Sequence, residues 1–303
     1  MTMLIPYGTR VTPPAATTRR RGLFRPRPLG RVARWIAALL LALWFALPFV
    51  PLLLWSVAER WSFPAPLPTE WGLRGLELAL AQGAVPAFGR SLLLSLAVAA
   101  IATPIGAMAA RALVVGRVPA PRLVSAILLA PLALPAFVAV MGLAVVLLRA
   151  RVPAILGVVV LLVAAALPYT VYTMRVAYAA HDLAFEEEAR TLGASRWHVL
   201  TRVHLPLVAP GLARAAFLAF LVGWSDYVVT VLVGGGRFVT LPLLVGGYAS
   251  GVGNDAVVAV LSLSAIVPPL VLLIALGRFG RRYAAGRATP SASPRPRSHQ
   301  EVS

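Results

Sequence analysis

Long apolar runs broken by short arginine-bearing segments dominate the chain, in place of the short 2- or 3.6-residue alternation of a water-soluble fold. A bilayer core about 30 Å thick is crossed by about 20 apolar residues rising 1.5 Å each. Six runs meet that length, at residues 32–57, 91–114, 123–148, 153–176, 212–233 and 257–277. Only Arg149-Ala150-Arg151 separates the third from the fourth, which predicts a tight helical hairpin. The pattern predicts an all-α membrane protein with six transmembrane helices. The first run is too long for the roughly 7–15-residue apolar stretch of a secretory signal, so it reads as an uncleaved span.

Arginine sets the orientation, because basic residues concentrate in cytoplasmic segments. With the N-terminus inside, 22 of the 28 basic residues fall on the inner side and 6 on the outer. Both termini are therefore expected in the cytoplasm of a bacterial cell, with the chain in the inner membrane. Residues 1–31 form an Arg/Pro-rich arm and residues 284–303 a Ser/Pro/Arg tail. Both read as solvated and disordered, flanking a transmembrane domain at 32–283. The outer segment 58–89 carries Trp61, Trp71 and three prolines, and reads as a loop at headgroup depth.

Composition agrees and narrows the chemistry. The chain is 59% hydrophobic and 13% charged, with a mean hydropathy of +0.84, far from a soluble domain. Its net charge of +18 belongs to membrane topology rather than to nucleic acid, since only Phe24 interrupts the arginines of the arm as a stacking group. There is no lysine, hence no phosphate-gripping P-loop lysine and no Schiff base. Cysteine is absent too, which excludes thiolate nucleophiles and Cys-ligated metals. Four scattered histidines offer little to a metal. No catalytic residue, metal or cofactor is expected.

Between spans four and five lies the segment at about 181–206, HDLAFEEEARTLGASRWHVLTRVHLP. It divides into two short helices. Asp182 is placed to cap the first, with Glu186 and Glu187 near its positive end. Phe185, Ala189 and Leu192 form an apolar stripe at i, i+4 and i+7. Gly193 can end the helix in the left-handed conformation. Ser195 caps the second helix, whose apolar side is Val199, Leu200 and Val203. Pro206 and Pro210 stop it or turn it into span five. Such a helix–turn–helix is a lever fixed to two spans and shaped for another protein's groove. The alternative is an amphipathic hairpin lying on the inner headgroups, against which Glu186, Glu187 and Glu188 count, because anionic lipids repel them.

The spacing Glu187-Glu188-Ala189, three residues, Gly193, nine residues, Val203, one residue, Leu205-Pro206 resembles the EAA loop of importer-type ABC permeases. Glu188 stands where that signature has its first alanine, and Val203 where it has isoleucine. The resemblance implies a coupling loop docking on a separate ATP-hydrolysing subunit, carried by Glu187, Glu188, Ala189, Gly193, Ala194, Ser195, Val203, Leu205 and Pro206. It also implies a second permease subunit, identical or homologous, and a periplasmic solute-binding protein. The chain itself is then no enzyme, and energy arrives through a protein interface.

Span five contains Ser225-Asp226-Tyr227, and a carboxylate within a span usually faces a bundle interior or a watery cavity. Asp226 either lines the substrate pathway, with Ser225 and Tyr227 beside it, or makes a helix–helix hydrogen bond. The stretch through Thr240-Leu241-Pro242 resembles permeases of the polyamine, ferric-iron and thiamine branch, which implies a small cation such as spermidine or putrescine. Prolines recur within the runs (Pro131, Pro135, Pro168, Pro268 and Pro269), either tolerated where neighbours satisfy the freed carbonyls or acting as hinges. A gradient-driven secondary transporter is the competing class. One in-span acid is thin equipment for ion coupling.

Overall fold

The computed structural model describes residues 28–287 apart from 63, 117, 134–135 and 181–183. Among these, structure is almost wholly helical: α1 (Pro28–Ala46), α2 (Phe49–Ser56), α3 (Arg74–Ala81), α4 (Ala84–Val114), α5 (Pro121–Ala133), α6 (Ala136–Arg149) and α7 (Ala154–Ala179). They continue with α8 (Ala184–Thr191), α9 (Arg196–His198), a π-helical turn (Val199–His204), α10 (Leu205–Trp224), α11 (Val228–Leu232), α12 (Leu241–Ala249) and α13 (Asp255–Arg287). One antiparallel pair, β1 (Ala58–Arg60) with β2 (Glu70–Trp71), lies in the segment before α3. The arm at 1–27 and the tail at 288–303 fall outside the described residues, as do Pro135, His181 and Asp182.

Among the described residues four helices are long and apolar enough to cross a membrane: Ala84–Val114, Ala154–Ala179, Arg196–Trp224 and Asp255–Tyr283. Two broken pairs, Val32–Ala46 with Phe49–Ser56 and Pro121–Ala133 with Phe137–Arg149, reach that length only together. The third apolar run is thus two helices bent by 104°, both packed on α7. Residues 28–49 form a unit of their own, in which the side chains described on α1 are exposed.

Residues from 50 onward are built around α4, α7 and α10, which pack mutually. Lipid tails are as apolar as leucine, so helices in a membrane associate through close packing rather than through exclusion of water. Small residues make that closeness possible. α4 buries Ser91, Ser95, Ala102, Gly106 and Ala110 along one face. A Cβ on Gly223 of α10 would come within 2.9 Å of the Ser95 Cα, and one on Gly211 within 2.5 Å of the Ala177 Cβ on α7. Phe220, Leu162 and Met174 are the large side chains that fill the seam.

Prolines inside these helices are accommodated by neighbours. Pro210 has no N–H to give the Pro206 carbonyl four residues back, and the Tyr283 hydroxyl of α13 donates to that oxygen at 2.5 Å. Pro269 likewise frees the Ala265 carbonyl, which accepts from Trp224 Nε1 at 2.8 Å. At these two sites the freed carbonyl has found a donor on another helix.

Candidate coupling loop and span-five break

After α8 the chain reverses at Gly193, whose φ is +85°. No atom lies within 4 Å of where its Cβ would be, so glycine is needed here for the left-handed backbone and not for space. Ala194 N–H donates to the Ala189 carbonyl and Gly193 N–H to that of Arg190, closing the helix end. Ser195 then caps the next helix, its Oγ accepting from the His198 N–H at 3.3 Å.

Beyond this cap the second half of the loop is not a separate lever. The chain from Arg196 to Trp224 is one continuous helix of 29 residues, and Pro206 and Pro210 do not stop it. Pro206 sits in the first turn of α10. The π-helical turn before it shifts the hydrogen-bond register to i→i+5, a wider turn that absorbs the missing donor without breaking the rod. The second loop helix and the fifth span therefore move as one piece.

The apolar stripe is open. Phe185 is 53% exposed, Leu192 88% and Trp197 72%. Beside them runs a groove of about 740 Å³ lined by Phe185, Glu188, Ala189, Leu192, Val203 and Pro206, among others. Glu187, Glu188, Gly193, Ser195, Leu205 and Pro206 are exposed, and Ala189, Ala194 and Val203 half-buried. The loop thus brings the nine candidate residues toward solvent between α8 and the start of α10, and Ser195 among them also holds the bend.

The three adjacent glutamates do not form one solvated acidic face. Glu186 is 4% exposed, whereas Glu187 and Glu188 stay in solvent. One oxygen of Glu186 pairs with Arg111 Nη2 of α4 at 2.5 Å, and the other lies 2.7 Å from His204 Nδ1. His204 Nε2 is in turn 3.3 Å from the Tyr178 hydroxyl of α7. Sequence reasoning missed Arg111, Tyr178 and His204 as partners, since the first contact spans 75 residues. The available signal was a histidine buried in an apolar helix turn, which needs hydrogen-bond partners.

At its far end α10 stops at Trp224, nine residues before the limit read from hydropathy. Asp226 explains the break. Its two oxygens accept from the backbone N–H groups of Val229 (3.1 Å) and Thr230 (2.9 Å), so it starts α11 in place of continuing α10. Ser225 and Tyr227 are exposed on either side, and Asp226 is half-buried. Among the described residues, the bonds to the Asp226 carboxylate come from Val229 and Thr230 and not from the neighbouring helix that one reading required. Among the described residues no group of three or more His, Asp or Glu side chains could hold a metal.

Comparison with known proteins places this architecture. The profile of the family described as "Binding-protein-dependent transport system inner membrane component" matches residues 102–285. The diacetylchitobiose uptake system permease protein DasC of Streptomyces coelicolor is 35% identical over 115 residues, 37% of this chain and 41% of that protein. The spermidine/putrescine transport system permease protein PotC of Escherichia coli K12 is 33% identical over 109 residues, 36% and 41% of the two chains. The matched segment thus spans about two fifths of the length of these two relatives. A chain in the crystal structure of a bacterial ABC transporter that imports the acidic polysaccharide alginate has the same fold. Its TM-score is 0.61 at 17% identity, over 83% of this chain and 98% of that one. With the profile covering well over half its length, this chain belongs to the family of inner membrane components of binding-protein-dependent transport systems.

Proposed function

We propose that the protein is the permease subunit of an ATP-driven importer of the ABC class, with the loop from α8 to the start of α10 as the surface on which a separate ATPase docks. The observation that carries this reading is the exposed stripe of Phe185, Leu192 and Trp197 beside the groove, joined through Gly193 to a helix that runs unbroken to Trp224. A push on Trp197 reaches the far end of α10 along one unbroken helix. Large apolar side chains left in water mark an interaction surface. The exposed Glu187 and Glu188 disfavour a lipid surface as the occupant. This role implies four partners: an ABC ATPase subunit, a second permease completing the pathway, a solute-binding protein on the outer face, and the lipid bilayer. In this orientation the loop and both termini are cytoplasmic, and residues 32–283 form the six-span transmembrane domain.

An oligosaccharide is the better-supported cargo. The cation reading rested on the resemblance to polyamine, ferric-iron and thiamine permeases and on Asp226, whose two oxygens accept from the Val229 and Thr230 N–H groups at the start of α11. Similarity to a diacetylchitobiose permease favours sugars. A polyamine is the second reading, favoured by the similarity to the spermidine/putrescine permease. Uptake of radiolabelled chitobiose, diacetylchitobiose and spermidine by cells expressing the full operon decides between them. Saturable uptake of spermidine alone contradicts the sugar reading. Docking is tested by Gly193→Pro, which should insert normally yet fail to co-purify with the ATPase. Normal recovery of the complex contradicts it.

A further inference from the structure

Among the described residues, a buried polar cluster ties the loop to the spans, and it has the properties of a joint. Glu186 on α8 contacts Arg111 on α4 and His204 in the π-helical turn, and His204 contacts Tyr178 on α7. Four elements thus meet at one carboxylate and one imidazole. Each of these groups has a partner. His204 Nδ1–H donates to Glu186, Nε2 pairs with the Tyr178 hydroxyl, and the two rings stack with centroids 5.7 Å apart. Arg111 pairs with the other Glu186 oxygen.

Its surroundings differ on the two sides. Glu186, His204 and Tyr178 are closed off from solvent, whereas the Arg111 side chain is 36% exposed. Arg111 lines a cleft of about 350 Å³ together with Glu187 and Arg190. The apolar face of α8 cannot supply this attachment, because Phe185 and Leu192 point into the open groove. A half-satisfied buried network is worse than none, so the cluster favours moving intact over coming apart.

We propose that Glu186 is the positioning residue that locks α8 to α4, α7 and the start of α10, so that a displacement of the loop is passed to three spans as one rigid body. The transmission role rests on the docking reading above; the rigidity of the joint does not.

The native chain has no cysteine, which makes introduced cysteines the sole labelling sites. Spin labels at Thr191→Cys and Val115→Cys report the α8-to-α4 distance in the assembled complex, in nanodiscs, with and without vanadate-trapped ATP. One narrow distance is expected in both states. Glu186→Gln should broaden it or split it in two, as should His204→Leu. His204→Asn, whose amide NH2 stands where Nδ1 does and retains a donor for Glu186, should keep it narrow. Where Glu186→Gln fails to accumulate, the two His204 variants make the same comparison. Coupled ATP hydrolysis should fall about tenfold in Glu186→Gln while the ATPase stays bound, as expected for loss of a linkage and not of assembly. An unchanged distance distribution in Glu186→Gln or His204→Leu overturns the joint. So does a distribution broadened equally by His204→Asn. A separate cross-link from Leu192→Cys to the ATPase tests docking, and its absence with the predicted distances refutes docking while leaving the joint in place.

Discussion

Glu186 and Asp226 stand near opposite ends of the same helix, α10, and use their carboxylates in opposite ways. Glu186 has partners 75 and 18 residues distant in sequence, on α4 and in the π-helical turn. Asp226 has partners three and four residues distant, both backbone N–H groups of the helix it begins. One carboxylate ties elements together. The other shapes a turn. A carboxylate in an apolar stretch therefore says only that the group needs partners, and whether these are local or remote decides whether its loss is felt by the whole domain or by one break in the chain.

The largest difference should appear in stability. Glu186→Leu leaves the His204 donor and the Arg111 charge without their acceptor, and should lower unfolding stability by about 3 kcal/mol, the low end for a buried pair broken on one side, since Arg111 keeps partial access to water. Thermal denaturation of the detergent-solubilised complex measures it, and a loss below that of Asp226→Ala breaks the comparison. Asp226→Ala removes a helix cap and should cost about 1–2 kcal/mol, whereas Asp226→Asn, which retains a capping oxygen, should stay within a few tenths. The same Asp226→Asn variant sharpens the functional side. Uptake of a neutral sugar should be unchanged by it, and a severalfold rise in KM for that sugar returns Asp226 to the pathway.

Gly193→Ala should cost about 1 kcal/mol, because its strain is confined to one left-handed residue with open space around it. Stability and docking part company there: the loss is small, but the bend that orients Leu192 and Trp197 is altered, so co-purification with the ATPase should weaken more than melting temperature does. Tyr283→Phe removes the donor to the Pro206 carbonyl and should cost no more than Gly193→Ala, about 1 kcal/mol or less. No measurable change on that substitution is consistent with water replacing the hydroxyl at the half-exposed helix end.

Much of this was legible in the sequence for a physical reason. Hydropathy over about 20 residues reports burial in lipid directly, and it found α4, α7 and α13 with only their ends displaced. Gly193 and Ser195 are local signals whose meaning lies within a few residues, and both occupy the expected geometry. The misreadings arose where a local rule met a tertiary remedy. Pro206 and Pro210 read as stopping the loop helix or turning it into span five, and the helix runs straight on because the π-helical turn absorbs the first and Tyr283 compensates the second. The fifth run read as unbroken through 233 because hydropathy averages over a single capping aspartate. The Gly223–Asp226 stretch, with glycine, serine and aspartate in four residues, held the turn signal that averaging hid. Glu186 read as one of three equivalent acids, since nothing near it in sequence points to Arg111.

The central claim is that the stripe of Phe185, Leu192 and Trp197 is the seat of a separate motor. Its most direct test is a cysteine placed at Leu192 in the otherwise cysteine-free chain, treated with a short bifunctional cross-linker in native membranes. The account predicts a single major adduct with an ATP-hydrolysing polypeptide, changed in yield by nucleotide. Adducts to lipid alone, together with uphill uptake by the purified chain in liposomes lacking any second polypeptide, contradict it.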